Sequence, residues 1–122
     1  MTNREIADTY VALCQAGKNE ECLSTLFAED AVSVEAGGPP GMDPTSKGLE
    51  AIRAKSKWWG ENHTVHKAEV TGPYPHGDRF AVRFVYDITN KPSGKRLTMD
   101  EIGVFTITNE KISKEEFFYS MG

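Results

Sequence analysis

The stretch RFAVRFVYDIT, Arg79–Thr89, alternates Phe80, Val82, Phe84 and Tyr86 with Ala81, Arg83, Val85 and Asp87. A period of two is the mark of a strand whose successive side chains point to opposite faces. One face is aromatic, so it is expected to lie on a core or line a cavity. Working outward, TVHKAEVT (64–71), RLTMDEIGVFTIT (96–108) and KISKEEFFYS (111–120) repeat the alternation, separated by the links GPYPHGD, NKPSGK and NE. Links this short make neighbouring strands antiparallel.

Upstream of residue 64 the period is helical. Thr2 and Glu5 form a capping box, and Ile6, Tyr10, Leu13 and Cys14 make one apolar stripe that runs to Gly17. A second helix is expected from Asn19, with Cys22, Leu23, Leu26 and Phe27 on its apolar face, until Glu29 and Asp30 break the pattern. In LFAEDAVSVEAGGPP (26–40), Val32 and Val34 alternate with Ser33 and Glu35, the pattern of a half-buried strand. AGGPPGMDPTSKG (36–48) has no periodicity and reads as a long loop of the kind that covers a site. Leu49, Ile52 and Trp59 mark a third helix ending near Gly60, its buried face broadened by Ala51, Ala54 and Trp58.

The order α-α-β-α-β-β-β-β is segregated rather than alternating, which places residues 1–122 in the α+β class as one domain. The expected architecture is three helices on one face of a curved, mostly antiparallel sheet. Such a cone holds an internal pocket whose mouth is lined by strand ends and the third helix.

Composition narrows the function. The 122 residues are 39% hydrophobic and 26% charged, ordinary for a folded globular domain. The net charge is −4, with 14 Lys+Arg spread along the chain and no basic block, which argues against nucleic-acid and anionic-membrane surfaces. No apolar run approaches the roughly 18 residues of a membrane span, and the polar start MTNREIADTY carries no export signal, so a cytoplasmic protein is expected. Cys14 and Cys22 fall in helical segments without a CxxC motif and read first as reduced thiols, with a disulfide or a reactive thiol as the alternative. His63 and His66 are three apart on a strand, which sends them to opposite faces, so no metal site is expected. His76 sits in a Pro/Gly turn and reads as solvated, and no Ser/His/Asp set, phosphate loop or GxGxxG turn is present.

Glu35 ends its strand beside a loop, as a rim charge or as a group aimed into the cavity. Trp58 and Trp59 would supply an apolar wall that raises its basicity. Asp100 and Glu101 face opposite ways, and parity with Leu97, Phe105 and Ile107 turns Glu101 inward. Glu115, Phe117 and Tyr119 share one face of the last strand, with Glu116 and Phe118 on the other.

The segments TYVALCQAGKNEECLSTLFAEDAVSVEAGG, KGLEAIRAK and the C-terminal NEKISKEEFFY together resemble the nuclear transport factor 2-like superfamily, of cystatin-like fold, and within it the SnoaL-like and ketosteroid-isomerase-like branches. In the isomerases a carboxylate base ends the first strand, a tyrosine of the first helix donates to the oxyanion and a protonated aspartate is the second donor. The resemblance implies Glu35 as base and Tyr10 as donor. It puts the aspartate position on Gly103, with Glu101 two residues away on the same face. It also turns Glu115 and Tyr119 inward and, through the cyclase and dehydratase branches, makes His66 a candidate proton donor.

The resulting expectation is a homodimer whose pocket binds a small hydrophobic, carbonyl-bearing or polycyclic molecule. Its catalytic residues would be Glu35, Tyr10 and Glu101. The lining would be Cys14, Trp58, Trp59 and His66 at one side, with Phe84, Tyr86, Phe105, Phe117 and Tyr119 from the strands. Proton transfer alpha to a carbonyl, leading to isomerisation, dehydration or cyclisation, needs no cofactor. A non-catalytic module that uses the same cone for ligand binding, or the sheet's outer face for protein contacts, is the alternative.

Overall fold

The structure is a computed structural model that describes residues 1–37, 41 and 43–120. Its first helix, α1 (Asn3–Gln15), begins where the capping box predicts. Thr2 Oγ1 accepts from the Glu5 amide and Glu5 Oε1 accepts from the Thr2 amide, which satisfies two of the helix's open donors. Ile6, Ala7, Tyr10 and Val11 form its buried face. A second, shorter helix, α2 (Asn19–Leu26), buries Cys22, Leu23 and Leu26.

Here the sequence reading needs its first correction. Phe27 does not extend the helix: it opens strand β1 (Phe27–Val34) with no linker, pairs with Ile112 and is buried in the core. An apolar residue at that position satisfies either period, and strand pairing settled the matter. The loop expected over 36–48 is interrupted as well, because Thr45–Lys47 forms a short strand, β2, antiparallel to the end of β1. Gly38, Pro39, Pro40 and Met42 of that loop lie outside the described residues.

Helix α3 (Leu49–Asn62) leads directly into β3 (His63–His76), followed by β4 (Arg79–Asn90), β5 (Arg96–Thr108) and β6 (Lys111–Phe118). The link GPYPHGD is therefore mostly strand, and only Gly77 and Asp78 turn. Two prolines are tolerated there because β3 lies at the sheet edge, where missing amide donors cost no ladder bond, and the pairing shifts register between Thr71 and Tyr74. The NE link is a two-residue turn in which Asn109 and Glu110 both take positive φ, 51° and 63°, the geometry that matches the twist of a tight hairpin.

The strand order is β2-β1-β6-β5-β4-β3. All neighbours are antiparallel except β1 and β6, which run parallel, so the sheet is mixed and remains open. The helices cover its concave face, where Tyr10 meets Phe105 at 4.3 Å between ring centroids and Phe80 stacks on Phe105 at 4.9 Å. No helix among the described residues is long and apolar enough to cross a membrane.

Gly103 explains how this aromatic core closes. It lies opposite Val82 on one side and Phe117 on the other. A Cβ added there would sit 2.9 Å from the Phe105 ring and 3.2 Å from Phe117. The two rings occupy the space that a side chain at 103 would fill. Gly103→Ala is expected to destabilise the protein by about 1–3 kcal/mol through overpacking, read as a lower midpoint in denaturant at unchanged m-value.

Candidate active site on the concave face

Three chain segments, the end of β1, the middle of α3 and β6 with the residues just after it, bring one run of polar side chains together. Ser33 and Glu35 stand two residues apart on the same side of β1. Lys55 reaches them from the middle of α3, donating to Ser33 Oγ at 2.5 Å and to Glu35 Oε1 at 2.8 Å. Ser33 donates its own proton to Glu115 Oε2 at 3.1 Å, and the Tyr119 hydroxyl donates to Glu35 Oε2 at 3.0 Å. Lys55 donates to two acceptors and Ser33 and Tyr119 to one each, so Lys55 and Tyr119 converge on Glu35, and Lys55 reaches Glu115 through Ser33.

Two members of this chain were not foreseen. Lys55 falls three residues after the buried Ile52 and four before Trp59, so it sits on the apolar stripe of α3, where a lone charge is the available signal. Ser33 is fully buried, whereas Val32 and Val34 are only partly so. The polar face of β1 is the inward one. A valine alternation points the other way, and only the demand of Glu115 and Lys55 for a buried hydroxyl makes sense of the reversal.

Glu101 and Glu115 both face inward from the strands. Glu101 lies opposite Phe84 on β4, and Glu115 pairs across β1 with Ser33. Asp100 points to the convex side, where Arg83 clasps it with two bonds of 2.7 and 3.0 Å. Burial pushes the Glu101 carboxyl up to about 7, helped by the negative charges of Glu35 and Glu115 and opposed by Lys55. Burial also raises Glu115 to about 7, against the pull of Lys55 and the Ser33 bond. Glu101 and Glu115 thus lie with Glu35 around one ammonium, and their own burial disfavours the ionised form of each.

The other expected residues divide into three groups. Phe84, Tyr86, Phe105 and Phe117 lie on the concave face, and Lys55 Nζ stands 5.5 Å from the Phe117 ring centroid. Trp59 stacks on His63 at 4.5 Å and approaches Tyr86 at 5.7 Å, forming a wall at the far end of the same face. Tyr10, in contrast, is packed into the aromatic core, its hydroxyl beside Cys14, with Glu115 and Cys22 as further neighbours, and burial drives its pKa well above the ordinary value. Cys14 and Cys22 are free thiols.

Trp58 and His66 require correction. Trp58 is 60% exposed and turned away from Glu35, because the buried side of α3 follows Ile52, Lys55 and Trp59. His66 is exposed where β3 shifts register between Val65 and Lys67, and bonds Thr89 Oγ1 at 2.6 Å. It is no part of the inward set. Two hollows, of about 410 and 840 Å³, are surface features: Cys14 and Val70 border the first, Phe27, Leu49 and Arg53 the second. Neither is lined by Glu35, Glu101 or Glu115. No three His, Cys, Asp or Glu side chains among the described residues are grouped to hold a metal ion.

The raised carboxyls tie stability to pH. A carboxyl that titrates near 7 in the folded protein but near 4.5 when unfolded favours folding fully below the unfolded value, and this contribution is lost as pH rises through about 7. The wild type is expected to melt at a lower temperature at pH 8 than at pH 5.5. Glu115→Gln should flatten that dependence, and an unchanged slope in the variant would remove the assignment.

The comparisons place this fold in a family. The family model for the SnoaL-like domain matches residues 1–119. A crystal structure from Mesorhizobium loti, named for its likeness to SnoaL polyketide cyclases, is 46% identical, with 98% of this chain and 100% of that one covered and a TM-score of 0.92. An NTF2-like protein from Burkholderia thailandensis shares the fold at 19% identity, covering 98% and 92% of the two chains with a TM-score of 0.83. A protein of ketosteroid-isomerase-like fold from Catenulispora acidiphila, solved with trimethylamine, is 24% identical over 94% of this chain and 85% of its own, at a TM-score of 0.72. No protein of curated function matches the sequence. With its family model spanning nearly the whole chain and a relative of nearly half identity covering it end to end, the chain belongs to the SnoaL-like domain family.

Proposed function

We propose that the protein binds a small, largely apolar carbonyl compound on the concave face and moves a proton at the carbon next to the carbonyl. Glu101 is the base. It has no hydrogen-bond or ion-pair partner among the described residues, and its carboxyl titrates near 7, where a base is effective at neutral pH. That open, poised carboxylate beside an anchored ammonium is the observation that carries the reading.

Glu35, assigned the base by family resemblance, has both oxygens engaged, one by Lys55 and the other by Tyr119. Its role is to hold Lys55. With two donors committed to Ser33 and Glu35, the ammonium has a third N–H left for the substrate oxygen, and its charge offsets the negative charge that develops there. The proton passes from carbon to Glu101 while the carbonyl oxygen becomes an enolate held by Lys55. Return of the proton to another carbon isomerises the substrate, and attack by the enolate on a second carbonyl cyclises it. Neither step draws on a cofactor. The apolar body of the substrate rests on Phe84, Tyr86, Met99 and Trp59, next to Glu101 along the strands.

Solvent deuterium exchange into cyclic ketones and small enones tests this. Glu101→Gln should slow exchange by about 10²–10⁴-fold and Lys55→Met by about 10²–10³-fold, while Tyr10→Phe stays within a few-fold of wild type. The rate should rise with pH through about 7, because Glu101 acts in its ionised form. Ligand binding without exchange would favour a non-catalytic binding module of the same fold.

The homodimer is also retained as a proposal. Ile102 and Phe118 face each other across β5 and β6 on the convex side, 38% and 55% exposed, and a second copy would cover them. Sedimentation should give a dimer at micromolar concentration and a monomer for Phe118→Glu.

A further inference from the structure

Glu115 is the one inward carboxyl that the proposed chemistry leaves without a task. It is 6% exposed, on the middle of β6, and its hydrogen bond goes to a serine rather than to a cation. A buried carboxyl raises the cost of folding, so its retention beside an ammonium asks for a reason. The geometry supplies one. Ser33 has a single proton to give. Because Glu115 takes it, the Ser33 oxygen is left to face Lys55 with its lone pairs.

We propose that Glu115 is a positioning residue that acts through Ser33: by accepting the serine proton it fixes the hydroxyl as an acceptor and so holds Lys55 in place beside Glu35. The inference rests on the assignment of Lys55 as the group that receives the substrate oxygen, and it states how that ammonium is kept aligned. Without the carboxyl, the Ser33 hydroxyl is free to turn its proton towards Glu35, where it competes with Lys55 for the same acceptor. One of the two bonds that define the ammonium's position is then lost, and the long lysine side chain regains its rotamers.

The position of Lys55 can be read directly, with no substrate, from ¹⁵N-lysine-labelled protein. An ammonium held by two acceptors rotates and exchanges slowly and gives a resolved ¹⁵Nζ signal near neutral pH, whereas a free one does not. The signal is expected in wild type and in Glu115→Gln, whose amide oxygen still accepts from Ser33. It is expected to vanish in Glu115→Leu, which keeps the volume and removes both the acceptor and the buried charge. Ser33→Ala should lose it too. Glu115→Leu tests the same link and relieves the burial of a carboxyl, so an unfolded Ser33→Ala leaves the experiment intact. Persistence of the signal in Glu115→Leu would overturn the proposal. Its loss in both Glu115 variants would show that charge rather than the hydrogen bond matters, and would overturn it as well, as would a wild type with no resolved signal. Failure of the exchange assay leaves this readout untouched, so the two ideas fail separately.

Discussion

A lysine ammonium placed among three carboxyl groups on the inside of a sheet is the constraint from which the rest of the site follows. Charges moved out of water are tolerated only when each meets a partner, and here one cation is divided between acceptors on two strands. Lys55 satisfies Glu35 directly and Glu115 through Ser33. Glu101 is left over. Burial raises its titration, and the neighbouring charges of Glu35 and Glu115 add to that rise.

The aromatic core sets where this polar run can lie. Tyr10, Phe80 and Phe105 pack one end of the concave face into dry hydrocarbon. Gly103 lies at the join between the two regimes: the Phe105 ring lies over it and takes the space that a side chain there would need. An inward acid can then stand only one step further along the alternation, at Glu101, opposite Phe84. The Tyr10 hydroxyl is turned to Cys14 within the same core.

The charge on this face also has a direction. The paired Glu35, Lys55 and Tyr119 sit where β1 ends, and Glu101 stands with Met99, Tyr86 and Trp59 extending beyond it towards the exposed Leu97. The proposed ligand, with one polar end and an apolar body, would match that gradient, because burying hydrocarbon against Tyr86 and Trp59 would supply affinity and its carbonyl would meet the remaining lysine donor.

The sequence by itself determined the α+β class, the three helices, the four long strands and the inward facing of Glu101, because periodicity records which side of each element is buried. Phe27, Thr45–Lys47 and the prolines of β3 escaped it, since edge pairing and strand entry depend on partners far along the chain. The site was legible in its acids and in Tyr119, but not in Lys55 and Ser33. Neither Lys55, a lone charge on the apolar stripe of α3, nor Ser33, one residue of an alternation, carries a local signal of the contact it makes. A salt bridge between α3 and β1, and a serine shared between a lysine and a glutamate 82 residues away, are created by the fold. Local patterns report burial, whereas partnership between polar groups is a property of tertiary contact alone.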